Sequence, residues 1–201
     1  MSAGGKRIGL FGGTFDPVHL GHVIVADAVA DIKRLDSVIF IPSARPPHKG
    51  SGDILFSAEE RCEMLAKAVD GYPRFEVSDI EMKREGPSYT IDTIRQMKAS
   101  MHSDISLFFI VGMDNLYDIT MWKDPRAIVG VCSILAAKRI CDTSGNLPDW
   151  LVRNVEVVDV PLIEISSSDI RGRIRKGRNY RYLVPGGVYE YIRSLNIEDR
   201  P

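Results

Sequence analysis

The sequence predicts an α/β fold, with a Rossmann-like, doubly wound and mainly parallel sheet and a small C-terminal helical subregion. Short, almost continuously apolar runs, typical of strands covered on both faces, alternate with segments of helical periodicity. After residue 165 the alternation stops, and two helical segments follow with no strand between them. We therefore expect a single domain over 1–201, with a core at about 7–165 and a helical part at about 166–197.

Each element has its own local signal. The predicted strands cover 8–11, 37–42, 75–82, 105–112, 132–138 and 155–160. The predicted helices cover 19–33, 57–69, 89–100, 114–121, 125–129, 166–177 and 184–195. Ser57 followed by Glu60 has the spacing of a capping box and opens the second of these helices. Two long loops are expected, over 43–56 and 140–150.

Composition narrows the class of protein. The chain has 201 residues and a formal net charge of −1, so nothing in its overall charge favours nucleic acid or an anionic membrane as a partner. Cys62, Cys132 and Cys141 fit neither a zinc site nor a disulfide framework and indicate reduced thiols. The sequence shows no signal peptide and no membrane span, which predicts a cytoplasmic protein. The oligomeric state stays open, and a homo-oligomer is one of the alternatives.

The stretch "RIGLFGGTFDPVHLGH" (7–22) carries the strongest chemical signal. We expect Gly12 and Gly13 to let the backbone turn sharply and a ligand approach closely. Asp16 and Pro17 have the pattern of a helix N-cap and first helical position. Glycine-flexed amides followed by a helix N-terminus predict an anion site that favours phosphate.

His19 and His22 lie one turn apart on the same face of the helix that follows. They could hold a metal, but no nearby Cys, Glu or third His completes a ligand set. They could also merely cap or pack. The stretch is neither the dinucleotide fingerprint nor a P-loop. We favour phosphate binding because the whole eleven-residue pattern fits that one geometry.

A second segment of the same kind, "ISSSDIRGRIRKG" (165–177), follows the last predicted strand. Ser167 or Ser168 is expected to cap the helix, and Arg171 and Arg175 follow one turn apart. Taken alone, such serines are usually only a cap, and such arginines usually form a solvated face.

The opening stretch resembles the (H/T)-x-G-H signature of the nucleotidyltransferase superfamily, in the form found in bacterial nicotinate-nucleotide adenylyltransferases. The second segment resembles the I-S-S-T-x-I-R signature of that family, with Ser168 in place of Thr. The resemblance implies catalytic roles for His19, His22 and Arg171. It implies ATP binding by Gly12, Gly13, Thr14, Phe15, Ser167, Ser168 and Arg171.

Three central segments resemble the acceptor site of the family. They are "RPPHKG" (45–50), "GPSYTIDT" (86–93) and "VGMDNLYDITMWKDP" (111–125). Without the resemblance, the first is an ordinary basic loop and Trp122 is a core residue. The resemblance implies that nicotinate mononucleotide is bound by His48, Lys49, Ser88, Tyr89, Thr90, Asp114 and Trp122. In place of the family's A-R-P-G-like loop beside adenine, this chain has "AAKRICDTSG", where Arg139 is the candidate substitute.

The resemblance implies transfer of the adenylyl group of ATP to nicotinate mononucleotide, with Mg²⁺ carried by the ATP phosphates and no metal site on the protein. Nicotinamide mononucleotide and phosphopantetheine are the alternative acceptors. A non-catalytic nucleotide-binding regulator and an RNA-acting relative are the alternatives from other classes. The chain keeps His22 and Arg171 and lacks a K-M-S-K-S-like loop, which favours the enzyme.

Overall fold

A six-stranded, fully parallel sheet forms the centre of the part of the chain that this computed structural model describes, residues 5–47, 54–138, 147–195 and 197. The strands are β1 (Arg7–Gly13), β2 (Ser37–Pro42), β3 (Phe75–Val77), β4 (Ser106–Gly112), β5 (Ser133–Lys138) and β6 (Val155–Asp159). Their order is β3-β2-β1-β4-β5-β6. The chain therefore winds outward in both directions from β1 and β4, which confirms the doubly wound α/β prediction.

Eight α-helices connect and follow the strands within the described residues. They are α1 (Leu20–Ile32), α2 (Ala58–Val69), α3 (Thr90–Ala99), α4 (Met113–Asp118), α5 (Pro125–Val131), α6 (Asp149–Val152), α7 (Ser167–Arg175) and α8 (Gly186–Ser194). A short 3₁₀ turn, Ile119–Met121, continues α4. The capping box predicted at the start of α2 is confirmed, since Glu60 N–H donates to Ser57 Oγ and Ser57 N–H donates to Glu60 Oε2.

The helices cover both faces of the sheet with separate apolar clusters. Successive strand residues point to opposite faces, so Leu10 packs with Ile91 of α3 on one face, whereas Phe11 packs with Val23 of α1 on the other. The second cluster also contains α2, α7 and α8 residues, such as Val188. The C-terminal helices are thus part of one face of the core. No helix in the described part of the chain has the length and apolar character needed to cross a bilayer.

The predictions for two segments, 75–82 and 140–150, were wrong in part. The third strand ends at Val77 instead of residue 82, because β3 is an edge strand that pairs with β2 over only three residues before the chain turns at Asp79. The predicted loop at 140–150 contains the start of α6. This helix begins at Asp149, directly after Pro148 at the N-cap position. Residues 139–146, with Arg139 and Cys141, lie outside the described residues, and so do 48–53.

Cys132 is a buried thiol at the end of α5, and Cys62 is a half-buried one. Both are free thiols. Burial raises the pKa of Cys132 from 9.0 to about 12, because no polar environment solvates the thiolate, and the nearby Lys98 offsets only part of this.

We expect Cys132 to make the protein less stable as the pH rises above 9. In that range the unfolded chain loses the thiol proton while the folded chain keeps it, so folding stability falls by up to about 1.4 kcal/mol per pH unit. Urea unfolding of wild type and Cys132→Ala between pH 8 and pH 10 measures this. The free-energy gap between them should narrow toward pH 10. An identical pH dependence in both proteins would show that the thiol does not titrate as described.

Candidate active site

A cavity of about 670 Å³ opens at the carboxyl ends of the central strands. Its wall includes Gly12 and Gly13 at the end of β1 and Val111 and Gly112 at the end of β4. Strand order reverses between these two neighbours, and such a switch point is where open α/β sheets bind ligands. The cavity therefore lies where the topology predicts a binding site.

The loop after β1 turns at a different residue from the one predicted. Gly12 and Gly13 remain in the strand and pair with Ile41 and Pro42 of β2, so the prediction of a sharp turn at the glycines was wrong. The chain turns at Phe15, whose φ of 50° lies in the left-handed region. A Cβ on Gly13 would come within 3.0 Å of the Phe15 ring, so this glycine makes room for the turned side chain.

Asp16 is a buried junction between three segments, and the prediction that it caps α1 was wrong. Its Oδ1 accepts a hydrogen bond from Phe56 N–H at 2.9 Å, and its Oδ2 accepts one from Leu55 N–H at 3.0 Å. Oδ2 also lies 3.6 Å from the Arg171 guanidinium. These long-range partners occupy the carboxylate, and α1 begins three residues beyond Pro17, with His19 at the N-cap position.

His19 and His22 form a stacked pair at the start of α1, with ring centroids 3.7 Å apart. The amide of His19 donates to Nδ1 of His22 at 3.2 Å. This bond makes Nδ1 the acceptor, so the proton of the neutral His22 ring lies on Nε2. Gly21 allows the arrangement, because a Cβ there would come within 3.1 Å of the His19 ring. Both histidines line the cavity.

The start of α7 reaches the same loop. Ser167 Oγ donates to the Pro17 carbonyl at 3.0 Å, and an Arg171 Nη donates to the Asp16 carbonyl at 2.8 Å. The predicted cap at Ser167 or Ser168 was wrong, since Ser166 Oγ accepts from Asp169 N–H. The S-x-x-D spacing of these two residues was the signal for it.

Most predicted site residues line this one cavity, and they do so from both halves of the chain. They are Gly12, Gly13, Thr14, Phe15, His19, His22, Ser88, Tyr89, Thr90, Asp114, Trp122 and Ser167. Ser168 and Arg171 are not in its wall, and the Arg171 guanidinium is turned to Asp16 and to the Ser168 hydroxyl. His48 and Lys49 lie outside the described residues.

The histidine pair packs on the α1 face of the sheet, and α3 and the segment after α4 build the part of the cavity wall on the other face. Ser88, Tyr89 and Thr90 form the start of α3, and Trp122 packs edge-on against Phe109 with ring centroids 6.1 Å apart. Arg45 N–H donates to Ser88 Oγ, and Ser88 N–H donates to the Arg45 carbonyl. This two-bond contact joins the predicted proline-rich acceptor loop to the Ser-Tyr-Thr segment.

Sequence reasoning missed several wall residues, among them Glu81, Thr93 and Lys123. Glu81 is 6% exposed; its Oε1 accepts from Thr93 Oγ1 at 2.6 Å, and Oε2 has no hydrogen-bond partner within the described chain. Lys123 Nζ pairs with Asp92 at 2.8 Å and lies 4.6 Å from the centroid of the Tyr89 ring. Thr93 and Lys123 lie within the quoted segments 86–93 and 111–125 but were not singled out there, and Glu81 follows β3 outside any motif.

The cavity wall is chemically suited to an anion. It combines a histidine pair and hydroxyl groups with the N-terminal ends of α1, α3 and α7, whose amides carry partial positive charge. Over the residues with described positions, no group of three or more His, Cys, Asp or Glu side chains is arranged to hold a metal ion. The arrangement can bind phosphate groups at one end and a flat ring at the other.

Comparisons with known proteins agree with this geometry. The family model described as "Cytidylyltransferase-like" matches residues 10–173. A protein of Moorella thermoacetica named "Probable nicotinate-nucleotide adenylyltransferase" is 39% identical over 95% of this chain and 91% of its own length. A protein of the same name from Geobacillus thermodenitrificans is 43% identical over 95% of this chain and 85% of its own.

A solved structure shares the fold. The Plasmodium falciparum nicotinic acid mononucleotide adenylyltransferase complexed with NaAD superposes with a TM-score of 0.76 at 19% identity, over 94% of this chain and 95% of that one.

The fold, the cavity and the family match define the chain as a cytidylyltransferase-like protein. Identity of about 40% over nearly the whole chain narrows this class, and the chain belongs to the nicotinate-nucleotide adenylyltransferase family.

We expect Asp16→Asn to lower the free energy of unfolding by about 3 kcal/mol. An Asn side chain offers one oxygen to the two amides that the carboxylate now satisfies, and it leaves the largely buried Arg171 without its charge partner. Urea unfolding monitored by fluorescence or circular dichroism measures the loss.

Asp27→Asn is the matched control, because it removes an exposed ion pair to Arg74 and should cost at most about 1 kcal/mol. If Asp16→Asn is no less stable than Asp27→Asn, Asp16 does not hold these segments together.

Proposed function

We propose that the protein transfers the adenylyl group of ATP to nicotinate mononucleotide and releases pyrophosphate, a step in making pyridine dinucleotides. One observation carries the proposal: the starts of α1 and α7 open on the same cavity, whose wall also contains the α3 start and Trp122. The names of the relatives agree with it. We further propose that the chain works as one domain.

The reaction needs alignment more than it needs acid–base chemistry. The attacking group is a phosphate oxygen of the mononucleotide, whose second pKa of about 6 leaves it ionised at neutral pH. No general base and no covalent intermediate are required. The barrier comes from bringing two anions together and from the charge that develops on pyrophosphate, so positioning and electrostatic stabilisation supply most of the catalysis.

We assign His22 to the α-phosphate in the transition state and His19 to phosphate binding. The His19 amide donates to Nδ1 of His22, so the ring proton lies on Nε2, the nitrogen assigned to donate to an oxygen that gains charge. Thr14 and the amides near Gly12 and Gly13 are assigned to the reacting phosphates. The start of α7, with Ser167, Ser168 and Arg171, is assigned to the leaving group.

We assign the acceptor to the end of the cavity formed by Ser88, Tyr89, Thr90, Asp114 and Trp122, with His48 and Lys49 as further predicted ligands. The N-terminus of the ten-residue α3 favours a carboxylate through the partial positive charge of its first turn. Trp122 offers an aromatic face for a pyridine ring. A carboxylate-bearing ring therefore fits this end better than the neutral amide of nicotinamide mononucleotide.

We propose that Mg²⁺ enters the site as a complex with ATP. The residues of the cavity wall around the phosphates are donors, namely imidazoles, hydroxyls and amides, and they do not form a carboxylate cage. They fit an ion that the phosphate oxygens hold. When bound, such an ion neutralises charge on the triphosphate.

We propose that the protein carries out this function in the cytoplasm. The free thiols of Cys62 and Cys132 support this location because they are typical of a reducing compartment.

We expect His22→Ala to lower kcat by about 100-fold or more while leaving the fold intact, because one preorganised donor to the transition state is lost. His102→Ala is the matched control, since His102 is exposed and lies before β4, away from the cavity. Steady-state kinetics with thermal unfolding of both variants measures the effect. Near-normal turnover of His22→Ala would remove His22 from the role assigned to it.

The acceptor is tested by pyrophosphate release from ATP and Mg²⁺ with three acceptors offered separately: nicotinate mononucleotide, nicotinamide mononucleotide and phosphopantetheine. We expect the highest kcat/KM with nicotinate mononucleotide. A preference for either other acceptor would replace the proposed substrate, and nucleotide binding without turnover on any of them would indicate a regulator.

A further inference from the structure

Arg61 on α2 is a charged side chain buried where no substrate contact has been assigned. Only 1% of it is exposed, and it is the largest fully buried side chain in the described chain. Arginine is almost never buried this deeply unless its charge and donors are satisfied. Burial lowers the pKa of Arg61, and the neighbouring Asp16 carboxylate acts in the opposite direction.

The guanidinium donates to backbone carbonyls of three separate chain segments. One Nη donates to the Thr14 carbonyl at 2.7 Å and to the Ser43 carbonyl at 2.8 Å, and Nε donates to the Phe56 carbonyl at 3.1 Å. Thr14 lies in the loop after β1, whereas Ser43 lies directly after β2. One side chain therefore joins the loops that follow two neighbouring strands.

Each of these two loops leads to a different set of residues in the cavity wall. The loop of Thr14 leads to the histidine pair, and the segment of Ser43 continues to Pro46 and Pro47 in the cavity wall and to Arg45, which bonds Ser88. A chain of direct contacts thus runs from the proposed phosphate site, through Arg61, to the proposed acceptor site.

The bond to Thr14 also fixes an amide. In a trans peptide the C=O and N–H groups point in opposite directions, so a carbonyl held toward α2 directs the Phe15 N–H away from α2. The left-handed backbone at Phe15 is unfavourable on its own, and the Arg61 bond to the adjoining peptide helps to hold it.

We infer that Arg61 is a positioning residue for adenylyl transfer. It sets the distance between the Thr14 loop after β1 and the Ser43 segment after β2, and it does not touch either substrate. The inference rests on the proposed function. Its consequence is specific: each substrate alone should bind nearly normally without Arg61, but the two reacting phosphates should be misaligned. A misplacement of about 1 Å can cost about 100-fold in rate.

The test compares Arg61→Gln and Arg61→Lys with the wild type. Calorimetry gives the Kd of ATP and of nicotinate mononucleotide separately, and steady-state assays give kcat with both saturating. For Arg61→Gln we expect each Kd to stay within about 3-fold while kcat falls by about 100-fold. Arg61→Lys keeps the charge but loses the fork that reaches several carbonyls, so its kcat should fall by about 10-fold.

Met64→Ala is the matched control for a loss of stability, because Met64 is a fully buried core residue on the same helix. It should lower the Tm but leave kcat unchanged below the Tm. Should Arg61→Gln fail to fold, Arg61→Lys carries the test with the same measurements.

Wild-type turnover separates this inference from the proposed function. If the wild type does not adenylate nicotinate mononucleotide, the proposed function fails. If the wild type is active and the folded Arg61 variants lower only the Tm, as Met64→Ala does, the positioning role is overturned. A loss confined to the Kd of one substrate, with kcat unchanged, overturns it as well.

Discussion

The buried carboxylate of Asp16 is the interaction on which the arrangement of the cavity depends. It joins the loop after β1 to the residues that precede α2, and it faces the Arg171 guanidinium of α7. Arg61 adds a second guanidinium to the same loop through its bond to the Thr14 carbonyl. The contacts that hold the segments together therefore also shape the loop that is assigned to the phosphates.

The topology of the sheet makes this convergence possible. Because all six strands are parallel, every strand-to-helix loop emerges at the same edge. The reversal of winding between β1 and β4 leaves a gap there, with α1 on one face of the sheet and α3 and α4 on the other. The chain then brings α7 back to the β1 loop, 150 residues from Pro17 in sequence. The cavity wall is therefore built from the N-terminal, central and C-terminal parts of the chain.

Elements specified by local pattern could be predicted from the sequence, and contacts between distant residues could not. Apolar runs located β1, β2, β4 and β5, and the Ser57–Glu60 pair located the start of α2, because burial on both faces and capping are local or periodic demands. Asp16 before Pro17 has the local pattern of a cap, but amides 39 and 40 residues away bind its side chain instead. Motifs indicated most of the cavity wall. Glu81 and Arg61 carry no motif, and only the packing of distant loops reveals them.

A structure with a non-hydrolysable ATP analogue tests the central claim most directly, namely that the starts of α1 and α7 grip one nucleotide. We expect the triphosphate in the cavity between them, with phosphate oxygens within hydrogen-bonding distance of both the Thr14–His22 segment and the Ser166–Ser168 segment. Phosphates bound to only one of these segments, or a nucleotide seated outside the cavity, would contradict it.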